Sequence, residues 1–165
     1  MAIEIREVSS PAKKKRICGD VLRALPEWFA YEEPIADYAA QAKHMPFYAA
    51  FDGSRAIGFI AIKVHNAHTA EVCVMGVLRD CHRRGIGRGL VECAVRYCLE
   101  NKMEFLTVKT VDESTQSAGY ANTRKFYCAM GFIPLEVFPL YWGKGNPCLF
   151  LAKHIGNDGL ASGYR

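Results

Sequence analysis

The sequence predicts an α/β protein of the α+β type: a single domain with a mixed, mostly antiparallel central sheet of about seven strands and helices on both faces. Three observations support this fold class. The chain has 165 residues, 50% of them hydrophobic, which suits one domain with a buried core. The spacing of apolar residues changes between helical and alternating several times along the chain. The predicted helices also stand between runs of strands, which is typical of a mixed sheet.

The first half of the chain is predicted to contain one strand, two helices and three successive strands. Alternation of Ile3, Ile5 and Val8 with charged residues predicts a short edge strand. Pro11 lies in the first turn of the first helix and Pro26 ends that helix. The remaining elements of this half are predicted as a helix at 35–44 and strands at 47–51, 56–64 and 69–78.

The second half begins with the most regular amphipathic pattern in the sequence, a helix whose apolar face includes Leu90, Val91 and Ala94. A strand at 105–111, a helix at 120–130 and strands at 132–137 and 148–152 complete the order β-α-α-β-β-β-α-β-α-β-β. Gly131 is suited to the left-handed conformation that ends a helix. We therefore predict one domain over residues 1–155 and a frayed, flexible C-terminal tail over residues 156–165.

Charge and cysteine content argue against several classes of protein. The net charge of +4 falls well short of the dense basic surface of a nucleic-acid binder, so we interpret the basic run at 13–16 as a solvated helix face. Seven cysteines without a C-x-x-C pair indicate reduced, mostly buried thiols and a cytoplasmic location. No stretch reaches the roughly 20 apolar residues of a membrane span. We expect no nucleic-acid partner, no membrane association and, because the nearby His65 and His68 lack further ligands at metal spacing, no metal.

Three alternating glycines follow the strand at 69–78 and open the amphipathic helix. Unpaired N–H groups and the positive end of the helix dipole make such a helix start a site for an anion such as a diphosphate. Arg83, Arg84 and Arg88 can add charge-assisted contacts. Neither the dinucleotide fingerprint nor the nucleoside-triphosphate loop fits the spacing, and the glycines alone are equally consistent with a simple turn.

Two motifs together resemble the GNAT superfamily of acyl-CoA-dependent N-acetyltransferases. Gly85 and Gly87 match the small positions of its loop (Q/R)-x-x-G-x-(G/A), in which His82 replaces Gln or Arg. The segment 126–132 resembles the motif F-Y-x-x-x-G-F, with Tyr120 where the family commonly has Asn. The resemblance covers about residues 3–153 and implies binding of acetyl-CoA without a metal. The cofactor-binding residues that it implies are Met75, Val77, His82, Arg83, Arg84, Gly85, Ile86, Gly87, Arg88, Gly89 and Tyr120.

The resemblance also implies three catalytic roles. Glu71 corresponds to a family glutamate that acts as the base, and a base is needed because an amine of pKa about 10.4 must lose its proton before attack. The Met75 N–H would bind the oxyanion, at a bulge that Gly76 permits, and Tyr127 would protonate the departing thiolate. The alternative for Glu71 is a strand-end carboxylate in solvent or in an ion pair, and for Tyr127 a core tyrosine. Weaker substitutes for the base are Glu33, Glu136, His65 and His68, and aromatic residues that could wall the acceptor pocket are Trp28, Tyr141 and Trp142.

The leading hypothesis is an acetyl-CoA-dependent N-acetyltransferase that transfers acetyl to a primary amine by direct attack in a ternary complex. A non-catalytic acyl-CoA sensor that binds a protein partner is the second hypothesis, and an RNA or nucleotide binder, which predicts strongly salt-dependent affinity, is the third. The sequence leaves the acceptor open, because one fold serves many acceptors. A homodimer is an expectation from the resemblance alone.

Overall fold

The computed structural model describes residues 2–156, so all of the predicted tail but Gly156 lies outside the described residues. The structure contains seven strands and four α-helices in the predicted order. In chain order they are β1 (Ile3–Glu7), α1 (Pro11–Arg23), α2 (Glu32–Ala42), β2 (Phe47–Asp52), β3 (Arg55–Val64), β4 (Thr69–Val77), α3 (Ile86–Glu100), β5 (Phe105–Val111), α4 (Ala118–Ala129), β6 (Ile133–Phe138) and β7 (Cys148–His154). The strands form one sheet in the order β1-β2-β3-β4-β5-β7-β6. Only the β4–β5 pair is parallel, and the predicted mixed, mostly antiparallel sheet is confirmed.

Helices cover both faces of the sheet, as predicted. On one face α1 and α2 bury a core that includes Leu22, Phe47 and Phe59. On the other face α3 and α4 bury a second core around Leu90 and Leu106. The two cores fix which way each strand residue points, and therefore which side chains reach a ligand.

The start of α2 differs from the prediction. The helix begins at Glu32 instead of Ile35, with Pro34 inside its first turn. A proline is tolerated there because the first N–H groups of a helix have no intrahelical partner, and Glu32 and Glu33 favour the positive end of the helix dipole. Pro34 was therefore a wrong marker for the boundary.

Strands β4 and β5 run together for only part of their length. Their pairing extends from Thr69 and Phe105 to Val72 and Val108, whereas β4 continues to Val77 and β5 to Val111. The two strands therefore separate toward their carboxyl ends and leave a gap in the middle of the sheet, which we call the β4–β5 gap.

A β-bulge lies in β4 at Cys73, because Ala61 pairs with Val74 while the next residue of β3, Ile62, pairs with Val72. The sequence-based expectation of a bulge at Gly76 is wrong. A Cβ atom at Gly76 would lie 3.0 Å from Leu25 Cδ1 of the segment that follows α1 and 3.1 Å from Val21 Cγ1. Glycine at position 76 thus allows close packing of α1 on the sheet.

Candidate active site

The loop before α3 presents unpaired main-chain donors at the start of a 15-residue helix. Gly85 is the N-cap in the left-handed conformation (φ 77°), with no side-chain cap and no acidic residue in the first turn. A Cβ atom at Gly85 would have no neighbour within 4 Å, so this corner is open. Arg83 also has a positive φ of 60°, and three arginines, Arg83, Arg84 and Arg88, lie within three residues of Gly85 in the sequence. The arrangement suits a diphosphate.

The other two glycines of the loop, Gly87 and Gly89, lie in close packing contacts. A Cβ atom at Gly87 would come within 3.2 Å of the Phe126 ring, and one at Gly89 within 2.6 Å of Ile5 Cδ1. The N–H of Gly89 already donates to Gly85 O at 3.0 Å. Packing against α4 and β1 therefore also requires glycine at positions 87 and 89, whereas Gly85 stands at the open corner.

Main-chain groups of β4 point into the β4–β5 gap. Leu78 N–H donates to Ile57 O at 2.9 Å, and hydrogen-bonded pairs alternate along an antiparallel ladder. Given the register of β3 and β4, the groups of Met75 and Val77 face away from β3, on the side that β5 has left. The Val77 carbonyl accepts a 2.7 Å hydrogen bond from His82 Nε2. The histidine that replaces the family's Gln or Arg at this position therefore connects the loop to the end of β4.

The Glu71 side chain is 10% exposed and engages two partners. Lys109 Nζ donates to Oε2 at 2.7 Å, and His65 Nε2 lies 2.7 Å from Oε1. The alternative interpretation of Glu71 as an ion-paired carboxylate is thus part of the structure, and His65, a weaker substitute for the base, contacts Glu71 directly. Burial lowers the pKa of Lys109, but the hydrogen bond and attraction to Glu71 outweigh it and the net shift is upward.

The Tyr127 side chain extends from α4 into the α3/α4 core, where its ring lies between those of Phe126 and Phe132. Burial raises the pKa of its phenol far above the ordinary value, so the group is a protonated donor at neutral pH. Within residues 2–156 its hydroxyl makes no hydrogen bond, while no buried side-chain nitrogen or oxygen lacks a partner. Within the described residues the hydroxyl is therefore not engaged by another group.

Tyr120 and Trp28 form a contact between the α1–α2 loop and the start of α4. The Tyr120 hydroxyl donates to Trp28 O at 2.9 Å, and the Trp28 indole N–H donates to Thr123 Oγ1 at 3.2 Å. The indole also lies 6.0 Å from the His82 ring. Trp28 thus packs beside His82 in the loop before α3. The Tyr120 hydroxyl is engaged in its hydrogen bond to the Trp28 carbonyl.

A cleft of about 310 Å³ lies beside Glu71, and both partners of Glu71 line it. Tyr141 is the one predicted aromatic wall residue in its lining, which is His65, Thr69, Thr107, Lys109, Phe138, Tyr141 and Phe150. Trp142 packs edge-on against Tyr141 instead (5.6 Å between ring centroids). The weaker base candidates lie elsewhere: Glu33 and Glu136 are exposed on α2 and β6, and His68 pairs with Glu104 at 3.4 Å.

Two residues near Glu71 escaped the sequence analysis. Lys109 reaches Glu71 from the neighbouring parallel strand, and the available signal was that it is the one charged residue of this strand. On α2, the pKa of Tyr38 is raised to about 12 because burial disfavours the phenolate and Cys73, Tyr120 and Glu71 add to the effect. Tyr38 thus belongs to the environment of the site on the α1/α2 face.

The cysteines agree largely with the expectation of reduced, buried thiols. All seven are free. Five are buried, Cys73 is partly buried and Cys128 is exposed. Within the described part of the chain, no helix is long and apolar enough to cross a membrane, and residues 2–156 contain no group of three or more potential metal ligands.

Comparison with known proteins identifies the family. The model of the acetyltransferase (GNAT) family matches residues 15–132, whereas no curated protein matches. Similar crystal structures include a protein from Desulfovibrio desulfuricans described as a GNAT acetyltransferase (19% identity, TM-score 0.78, 94% of this chain and 100% of that one). An aminoglycoside 6'-N-acetyltransferase from Enterococcus faecium (20%, 0.71, 95% and 98%) and an acetyl-CoA-bound GNAT acetyltransferase from Elizabethkingia anophelis (15%, 0.69, 92% and 97%) share the fold. Because the family model spans more than half of the sequence, the chain belongs to the GNAT family of acetyltransferases.

Proposed function

We propose that this protein transfers an acetyl group from acetyl-CoA to a primary amine by direct attack in a ternary complex. The observation that carries the proposal is the β4–β5 gap, where the Met75 main chain lacks a strand partner on the gap side at one end of the loop that leads to the open start of α3. Acetyl-CoA supplies the activated thioester. The cytoplasm is the expected location, in keeping with seven free thiols.

The loop and the strand are suited to hold the donor. N–H groups of Gly85, Ile86 and Gly87 would bind the diphosphate, assisted by Arg83, Arg84 and Arg88. Met75 and Val77 would pair with the extended arm as an added strand does, through main-chain hydrogen bonds. The Met75 N–H would then lie beside the carbonyl under attack. A preorganised donor at that place stabilises the negative charge that develops on the carbonyl oxygen.

Two side chains would move the protons. Glu71 would accept the proton of the amine, directly or through water, while its partners Lys109 and His65 hold the carboxylate in place. Tyr127, whose phenol is protonated because burial raises its pKa and whose hydroxyl makes no hydrogen bond within residues 2–156, would donate to the thiolate that leaves. The order of events is transfer of the ammonium proton to Glu71, attack of the neutral amine on the carbonyl, and cleavage of the carbon–sulfur bond. In that last step Tyr127 protonates the sulfur, the nitrogen releases its second proton to water, and the phenolate and Glu71 then exchange protons with solvent.

Thiol release from acetyl-CoA in the presence of a panel of amines tests the proposal. An enzyme releases thiol only when an acceptor is present, and the acetylated amine appears in equal amount. The second candidate, an acyl-CoA sensor, would bind acetyl-CoA tightly and release no thiol with any amine. That result would overturn the proposed activity.

A further inference from the structure

The cleft beside Glu71 is small and aromatic. Its volume of about 310 Å³ is at the lower end of the roughly 300–1,000 Å³ typical of ligand pockets, which suits one ring or a short chain. Three of its seven lining residues are aromatic. The Phe138 ring stands 6.1 Å from Phe150 and 6.4 Å from Tyr141, so these rings form one continuous apolar wall.

Lys109 lines the cleft, whereas its partner Glu71 does not, so the charge of this pair that faces the cleft is positive. Lys109 Nζ donates to Glu71 at 2.7 Å and lies 5.4 Å from the centre of the Phe150 ring and 5.5 Å from that of Tyr141. The built-in ammonium therefore occupies both the carboxylate and the aromatic faces, which are the groups that would otherwise bind a cation. None of the seven lining residues is acidic.

The positive charge of Lys109 affects the reacting amine and a second amine of the same substrate differently. A nearby positive charge favours the neutral form of a bound amine, and that form is the nucleophile. A second ammonium on the same molecule does not react and keeps its charge. It would lie close to the Lys109 ammonium, with no unpaired carboxylate of the cleft to offset the repulsion. Repulsion between like charges in a partly buried site weakens binding on the order of tenfold or more.

We propose that the acceptor is a small primary amine on an aromatic or apolar body with no second positive charge, an arylalkylamine in chemical class, and that Lys109 excludes polycationic acceptors. The inference rests on the proposed acetyl transfer and names its substrate class. It separates this chain from the aminoglycoside 6'-N-acetyltransferase whose fold it shares. Lys109 acts as a specificity residue, set at the point where β5 leaves β4.

Matched amines test the inference with the full-length protein. Butylamine and putrescine have the same carbon chain and differ by one ammonium, and phenethylamine adds a ring to a single amine. We expect kcat/KM to be at least about tenfold higher for butylamine than for putrescine, and KM to be lowest for phenethylamine. Putrescine or spermidine performing as well as butylamine in the wild-type protein would overturn the inference, as would equal KM values for phenethylamine and butylamine.

Lys109→Met removes the charge and keeps a flexible side chain against the rings. It is expected to raise the putrescine-to-butylamine ratio of kcat/KM about tenfold, whatever its effect on the absolute rate. Lys15→Met, at an exposed lysine on α1 that does not line the cleft, should leave the ratio unchanged. A ratio that Lys109→Met does not move refutes the role of Lys109. If no amine releases thiol, the transferase proposal itself fails and this inference fails with it, whereas transfer to polyamines alone overturns only the inference.

Discussion

Replacing Glu71 with glutamine removes the charge that holds Lys109 in the sheet. The two side chains are 10% and 18% exposed and their charged atoms are 2.7 Å apart, so the pair is largely withdrawn from water. Removing one partner of a buried pair costs about 3–5 kcal/mol. Since Lys109 keeps some contact with solvent, we expect the lower end of that range, about 3 kcal/mol. For a domain of this size that corresponds to a fall in Tm of roughly 6–12 °C.

The double variant Glu71→Gln/Lys109→Met separates the loss of charge from the loss of partner. Methionine can pack against Tyr141 and Phe150 as the lysine stem does, and the glutamine amide keeps His65 as a partner, so the double variant leaves no uncompensated charge in the sheet. We therefore expect the double variant to unfold within about 1 kcal/mol of wild type, although it carries one substitution more than the unstable single variant.

Thermal and urea unfolding of the four proteins of this cycle measure the coupling directly. Glu104→Gln is the matched control, because its partner His68 is exposed and 3.4 Å away, and a surface pair of this kind contributes at most about 1 kcal/mol. Additive effects of Glu71→Gln and Lys109→Met would refute the buried pair. The same proteins also test catalysis: recovery of acetyl transfer in the stable double variant would show that Glu71 is not the base.

Three further predictions concern α4, the thiols and α1. Tyr127→Phe should lower kcat by about 100-fold or more and leave Tm almost unchanged because the hydroxyl makes no hydrogen bond within residues 2–156; an unchanged kcat in thiol-release kinetics would exclude Tyr127 as the acid. Alkylation of the native protein at pH about 8, followed by mass spectrometry, should modify Cys128 first, since thiolate is the reactive form and burial raises the pKa of Cys18 to about 12 and of Cys73, Cys98 and Cys148 to about 11; rapid labelling of Cys73 would contradict this. Gly76→Ala should destabilise the fold by about 1–3 kcal/mol through overpacking against α1, and urea unfolding that shows no loss would argue against that contact.

Local patterns in the sequence predicted most of the fold, because they depend on neighbours within a few residues. Pro11 lies in the first turn of α1, β5 has the predicted bounds, and Gly131 has a φ of 90° just after α4. The predicted start of α2 is wrong because a proline is compatible both with the first turn of a helix and with the position just before the helix. Pro34 lies in the first turn.

The site depends on contacts between residues distant in the sequence, and these were predicted only in part. The resemblance selected Glu71, Met75 and Tyr127, but the pairing of Glu71 with Lys109 spans 38 residues and depends on the register of two parallel strands. That register has no local signature. The bulge at Cys73 was missed for a related reason, since only the partner strand shows which residue is the extra one.

The bulge at Cys73 connects the fold to the proposed chemistry. Before it, Ala70 and Val72 face the α3/α4 core, whereas beyond it Val74 faces the α1/α2 core and Met75 packs on the α3/α4 side. The bulge also changes which main-chain groups of β4 point toward β3. Before it, the His65 N–H donates to Thr69 O, and after it the Leu78 N–H donates to Ile57 O. The register of the two pairs differs by one residue. Ala70 and Val72 thus use their groups on β5, while Met75 and Val77 direct theirs into the gap that β5 leaves. One inserted residue therefore keeps the Glu71 carboxylate beside the cleft and turns the Met75 N–H into the β4–β5 gap, where the proposed mechanism places the acceptor amine and the thioester.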